Sequence, residues 1–177
     1  PIKINTVVQK GKNDKNLLDL AEYIKSKGHI LRFIEYMDVG NLNGWDKSQV
    51  VPSVSIVKML NEKFGIIPLE KQYVNEVANR WKYKDDSAEI GFISSVSDPF
   101  CGNCSRIRLS TDGKLYTCLF SDLGFDIKQT LNSDDEILLK NKIVQIWGNR
   151  SDQYSQIRSN TKKKNPTKKI EMYAIGG

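Results

Sequence analysis

Along the first third of the chain the spacing of apolar residues changes twice, and each change marks an element. Residues 2–8 form a β-branched run of Ile2, Ile4, Thr6, Val7 and Val8, which predicts a strand. After a turn at Gly11, Lys12, Asn13 and Asp14, the residues Leu17, Ala21 and Ile24 recur at the i, i+4, i+7 spacing of an amphipathic helix, which Gly28 closes. Residues 30–37 are apolar on both alternating faces, the pattern of a parallel strand covered on each side. Strand, helix and strand in so short a stretch predict a parallel β-α-β crossover, the unit of doubly wound sheets and (βα) barrels.

Residues 38–52, rich in Gly, Asn and Asp, predict a loop leaving the C-terminal end of that second strand, where α/β proteins hold ligands. A helix over 53–64 follows, with Ile56, Val57, Leu60 and Phe64 along one side. Beyond Gly65 the segments shorten. Residues 89–94, 106–110 and 115–117 predict strands, and Asp112-Gly113 predicts a hairpin between the last two because it supplies positive φ angles. A final helix is predicted over 134–148, opened by a capping box of Ser133 and Glu136, with Ile137, Leu138, Val144, Ile146 and Trp147 as its apolar side.

Composition narrows the class. With 177 residues, 39% apolar and 27% charged, the chain is globular, which excludes collagen-like, coiled-coil and low-complexity proteins. No apolar run approaches the roughly 18 to 20 residues of a membrane helix, so no membrane partner is expected. A strand beginning at residue 2 raises the expectation that the chain starts inside a longer protein. The net charge of +6 and the lysines at 162–164 and 168–169 raise the alternative of a basic metal-knuckle domain that binds nucleic acid. Against it, the basic residues do not interleave with aromatics on one strand or helix.

The chemistry concentrates at three cysteines. Cys101, Cys104 and Cys118 lie in one stretch and the rest of the chain holds none, an odd count that excludes a disulfide framework. It points to a reducing compartment, the cytoplasm, and to thiolates kept for binding or chemistry. Cys101 and Cys104 form a C-x-x-C knuckle, and the hairpin at Asp112-Gly113 can return Cys118 to meet it. A closed zinc site wants four ligands, and the only histidine, His29, sits far away at a helix-to-strand junction. A thioredoxin-like pair would open a helix, whereas the residues after Cys104 alternate like a strand. Three buried thiols without a ligand remain one reading. The other is an iron-sulfur cluster on three thiolates with one iron left open. Arg106 and Arg108, at i and i+2 on the expected strand, would project two guanidinium groups together beside the thiols, suited to a phosphate ester.

These residues resemble a known family. Phe100-Cys101-Gly-Asn-Cys104-Ser-Arg106-Ile-Arg108-Leu109, with Asp112-Gly113-Lys114-Leu115 and Cys118-Leu119-Phe120, looks like the auxiliary cluster motif of the GTP 3',8-cyclases, radical S-adenosylmethionine enzymes of molybdenum cofactor (molybdopterin) biosynthesis. The likeness continues through Lys3-Ile4-Asn5, through Leu31-Arg32-Phe33-Ile34-Glu35-Tyr36-Met37, through the segment 147–158 and to the terminal Gly176-Gly177.

The resemblance implies an α/β fold: the last strands and helices of an incomplete TIM-type (βα) barrel over residues 1–70, then an α+β auxiliary region over 71–177. It implies a [4Fe-4S] cluster held by Cys101, Cys104 and Cys118, with its open iron on the guanine base of GTP. It further implies GTP contacts from Lys3, Arg106, Ile107 and Arg108, an S-adenosylmethionine contact from Met37, and a Gly176-Gly177 tail reaching toward the active site. In the full-length enzyme a second [4Fe-4S] cluster cleaves S-adenosylmethionine to a radical that abstracts the ribose 3' hydrogen of GTP, and the carbon radical closes on C8 of guanine. The family's C-x-x-x-C-x-x-C motif for that cluster is absent from this chain, which corresponds to the back half of such a lyase and by itself is expected to be inactive. A homodimer when full length, and cyclic pyranopterin monophosphate synthase as the next enzyme, are also implied. An auxiliary-cluster domain of another radical enzyme is the remaining alternative.

Overall fold

The computed structural model describes residues 1–151, 154 and 170–175, and the chain divides into two compact units. Residues 1–37 and 45–103 form the first, and residues 38–44 with those from 104 onward form the second.

The first unit is built on a five-stranded sheet in the order β1-β2-β5-β4-β3. β1 (Lys3–Val8), β2 (Ile30–Glu35) and β5 (Glu89–Ile93) are parallel, while β4 (Asn79–Tyr83) and β3 (Ile66–Pro68) run antiparallel at one side. Lys3 pairs with Ile30 and Ile34 with Ile93. The expected crossover is therefore present, with α1 (Leu17–Ser26) between β1 and β2. α2 (Ser53–Phe64) follows β2 and stops at Gly65, whose φ of 65° a residue with a side chain rarely adopts.

Alternation along the strands divides the sheet into two faces. Leu31, Phe33, Ile90 and Phe92 join Leu17, Ala21 and Ile24 of α1 and Ile56 and Leu60 of α2 in one core. Phe33 stacks on Phe92 at 6.2 Å between ring centres, and Trp81 meets Phe92 edge-on at 6.3 Å. Arg32, Gly91 and Arg80 form a cross-strand row in the other alternation. β2 is therefore buried on one face and half-buried on the other, rather than apolar-covered on both. Met37 lies two residues past its end.

The second unit holds a three-stranded antiparallel sheet of β6 (Arg108–Leu109), β7 (Lys114–Tyr116) and β8 (Phe125–Asp126), then α3 (Lys128–Leu131) and α4 (Glu136–Gly148). Its core is small: Leu115, Ile127 and Ile146, with Leu139 and Ile143 packed on them. α4 differs from expectation at both its start and its face. Asp135 caps it, its carboxylate accepting from the Leu138 N–H at 2.9 Å, whereas the Ser133 hydroxyl donates to the Thr130 carbonyl. Ile137 is 73% exposed, and Leu138 and Val144 also face solvent.

The expected hairpin is present. Ser110 N–H donates to the Lys114 carbonyl at 2.9 Å, and Gly113 turns the chain at φ 80°. A Cβ at Gly113 would also come within 3.0 Å of the Lys128 Cβ. Gly113→Ala is therefore expected to destabilise the protein by about 1–2 kcal/mol through left-handed strain and crowding, read as a lower urea midpoint. An unchanged midpoint would contradict this account of the turn.

Candidate metal centre and ligand site

None of the three thiols lies in a β-strand or an α-helix. Cys101 opens a single 3-10 turn, Cys101–Asn103, in the first unit, whereas Cys104 and Cys118 belong to the second. All three are half-buried thiols outside any disulfide. Among the described residues, no three His, Cys, Asp or Glu side chains are gathered closely enough to hold a metal ion.

Within the second unit the geometry around Cys104 and Cys118 is specific. The Arg106 guanidinium donates through Nη2 to Cys104 Sγ at 3.3 Å. Burial pushes the Cys104 thiol up, but Arg106, through its backbone, its hydrogen bond and its charge, together with the charge on Arg150, outweighs it, and the pKa falls below its ordinary value. Arg108 is half-buried. Burial and the Arg106 charge pull its pKa down, while Cys104 and Cys118 push it back up. Arg108 is thus electrostatically coupled to both thiols. The Phe120 N–H points at Cys118 Sγ at 3.5 Å, and the Phe120 ring stacks on Tyr154 at 4.5 Å. The Tyr154 hydroxyl donates to Asp38 Oδ2 at 2.5 Å.

Arg106 and Ile107 precede β6 rather than lying in it, so Arg106 and Arg108 do not share a strand face, and the contact with Cys104 is made by Arg106. Ile107 is partly exposed beside them. Lys3, at the first position of β1, lines a cavity of about 100 Å³ with Arg32, Arg80 and Glu89. Met37 is half-buried. Gly176 and Gly177, most of the segment 147–158 beyond Ser151, and the lysines at 162–164 and 168–169 lie outside the described residues.

Two arginines escaped the reading of the sequence. Arg150 stacks on Trp147 at 4.1 Å and contributes to the field at Cys104, far away in sequence and carried there by α4. Arg32 shares the Lys3 cavity, and Gly91 opposite leaves it room, since a Cβ there would come within 3.2 Å of Arg32 Cγ. A charged residue inside an otherwise apolar strand was the available signal for Arg32. For Arg150 there was none. The donor set left by this arrangement is thiol sulfur with cationic neighbours, which suits a soft, thiophilic centre bearing negative charge.

The Molybdenum Cofactor Synthesis C family model matches residues 29–156, which include the three cysteines and Arg106, Arg108 and Arg150. The GTP 3',8-cyclase of Xanthomonas axonopodis pv. citri is 44% identical over 176 residues, covering 99% of this chain and 52% of that protein. That of Staphylococcus haemolyticus is 46% identical over 181 residues, covering 99% and 53%. That of Acidothermus cellulolyticus is 43% identical over 164 residues, covering 90% and 45%. The chain spans about half the length of the curated relatives it matches. The likeness read from the separate motifs thus extends along the chain, and the chain belongs to the Molybdenum Cofactor Synthesis C family.

Proposed function

We propose that this chain is the GTP-binding, auxiliary-cluster portion of a cytoplasmic GTP 3',8-cyclase, with residues 1–70 as the last part of its incomplete (βα) barrel and 71–177 as the cluster region. The parallel β1 and β2 with α1 and α2 support the barrel reading. The observation that carries the functional reading is the Arg106 guanidinium on Cys104 Sγ at 3.3 Å; the charges of Cys104 and Cys118 acting on Arg108 are consistent with it. Cys101, Cys104 and Cys118 would hold a [4Fe-4S] cluster, which when bound supplies an iron without a protein ligand for the guanine base.

The remaining work falls to the protein's own groups. Arg106 stabilises thiolate charge at Cys104 and, with Arg108, presents donors matched to phosphate oxygens. Lys3 and Ile107 complete the GTP contacts, and Met37 contacts S-adenosylmethionine past the end of β2. Their task is orientation, holding the ribose and the base in a geometry where ring closure is short-ranged.

Anaerobic reconstitution with iron and sulfide tests the reading. About four irons per chain, with a spectrum that GTP alters, is the expected result. Stoichiometric zinc with no response to GTP would sink it. Arg106→Ala is expected to keep the iron but weaken GTP binding by roughly 10- to 100-fold, the worth of a charge-assisted hydrogen bond, measured by titration calorimetry.

A further inference from the structure

Glu35, the last residue of β2, is 1% exposed, and no cation pairs with it among the described residues. Four donors converge on its two oxygens. Oε1 accepts from the Ser53 N–H at 2.8 Å and from the Ser97 hydroxyl at 2.5 Å. Oε2 accepts from the N–H groups of Val96 and Ser97, both at 2.8 Å. That fills the acceptor positions of a carboxylate.

The four donors come from two different chain segments. Ser53 starts α2, where backbone N–H groups lack helical partners. Val96 and Ser97 belong to the turn beyond β5, closed by the Asp98 N–H on the Ser94 carbonyl at 3.1 Å. Because β2 and β5 are parallel neighbours up to Ile34 and Ile93, their exits lie side by side, and one side chain at the end of β2 reaches both segments. Met37 is two residues beyond Glu35. Cys101 is four residues beyond Ser97, so the tether allows it at most about 14 Å from that anchor.

We propose that Glu35 is a positioning residue: its carboxylate fixes the stem of the Cys101 segment to the exit of β2, so that one anchor places both Cys101 and Met37. The inference rests on the reading of Cys101 as a cluster ligand. Glutamine has the same shape but turns an NH2 group toward donors, so the four-donor arrangement requires the acid rather than its amide.

The test is Glu35→Gln in the anaerobically reconstituted chain, followed by hydrogen exchange and by electron paramagnetic resonance of the reduced cluster. Exchange of the Ser53, Val96 and Ser97 amides is expected to accelerate about tenfold or more while the β2 and β5 core amides keep their protection. The resonance is expected to shift or split, and Glu35→Asp to restore it in part. If Glu35→Gln does not fold, Ser97→Ala, which removes only the hydroxyl donor, carries the same readouts with a smaller change. An unaltered resonance in the variant, or unaltered exchange at Val96 and Ser97, overturns the role of Glu35. Cys101→Ser separates the two ideas. If that variant loads a cluster with the parent resonance, the ligand reading fails; if it loses the cluster while Glu35→Gln leaves the resonance unchanged, Glu35 alone is refuted.

Discussion

Cys104→Ser is expected to abolish cluster loading, leaving less than half of the parent iron after anaerobic reconstitution and no spectral response to GTP. The argument begins with the thiol. Burial alone would favour its neutral form, but the Arg106 guanidinium at 3.3 Å and the charge on Arg150 favour the thiolate, the form that binds metal. Serine preserves shape and hydrogen bonding but not the acidity or the softness of sulfur, so it supplies neither the charge nor the ligand. Loss of one of three thiolates also removes an anion from a cationic environment: Arg106 exchanges an anionic acceptor for a neutral one, and Arg108 loses one of the two charges that offset its burial. The protein itself is expected to remain folded, since Cys104 belongs to neither hydrophobic core. Iron and sulfide assays read the first effect and circular dichroism the second. A Cys104→Ser protein with a full cluster would remove this residue from the ligand set. The contrast with Arg106→Ala, which should keep the iron, separates ligand from ligand-supporting charge.

The sequence made parts of this fold and site legible for reasons that differ by element. β1, α1, β2 and α2 each carry enough apolar residues at their own period to announce themselves, and their ends fall within about two residues of expectation. β3 and β4 carry no such pattern. β3 is three residues long and β4 reads Asn-Arg-Trp-Lys-Tyr, and both exist because β5 offers them an antiparallel partner, a tertiary cause. α4 was legible as a helix but not in its facing. Of the residues chosen by hydrophobicity, Ile146 is buried in the core while Ile137, Leu138 and Val144 are exposed; Leu139 and Ile143 join Ile146 at the i, i+4, i+7 spacing that points one way. At the site, Arg106 and Arg108 could be read because they are sequence neighbours of Cys104. Arg150 could not, because only the placement of α4 brings its charge there.

Phe92→Ala is expected to cost about 3–5 kcal/mol of stability, the range for emptying a buried aromatic site. Phe92 is 1% exposed in the central parallel strand of the first unit and touches Phe33 and Trp81, so the void opens in the middle of the sheet's packed face rather than at an edge. The ring's neighbours are themselves held: Phe33 by β2 pairing on both sides, Trp81 by the Ile90 register in β4. Their backbones are held in the ladder, so only rotamer changes within a close-packed core could fill the void, and the cavity is expected to stay partly open. Against a domain stability of about 5–15 kcal/mol, such a loss places the variant near the unfolding threshold. Phe92→Leu keeps most of the volume and is expected to cost under about 2 kcal/mol. Urea unfolding followed by tryptophan fluorescence measures both, because Trp81 reports from the cavity wall. The two substitutions should rank as stated with similar slopes. Equal midpoints for alanine and leucine would mean that the Phe92 ring is not packed as the sheet register requires, and would undermine the placement of β5 between β2 and β4 on which the positions of Glu35 and the Cys101 stem depend.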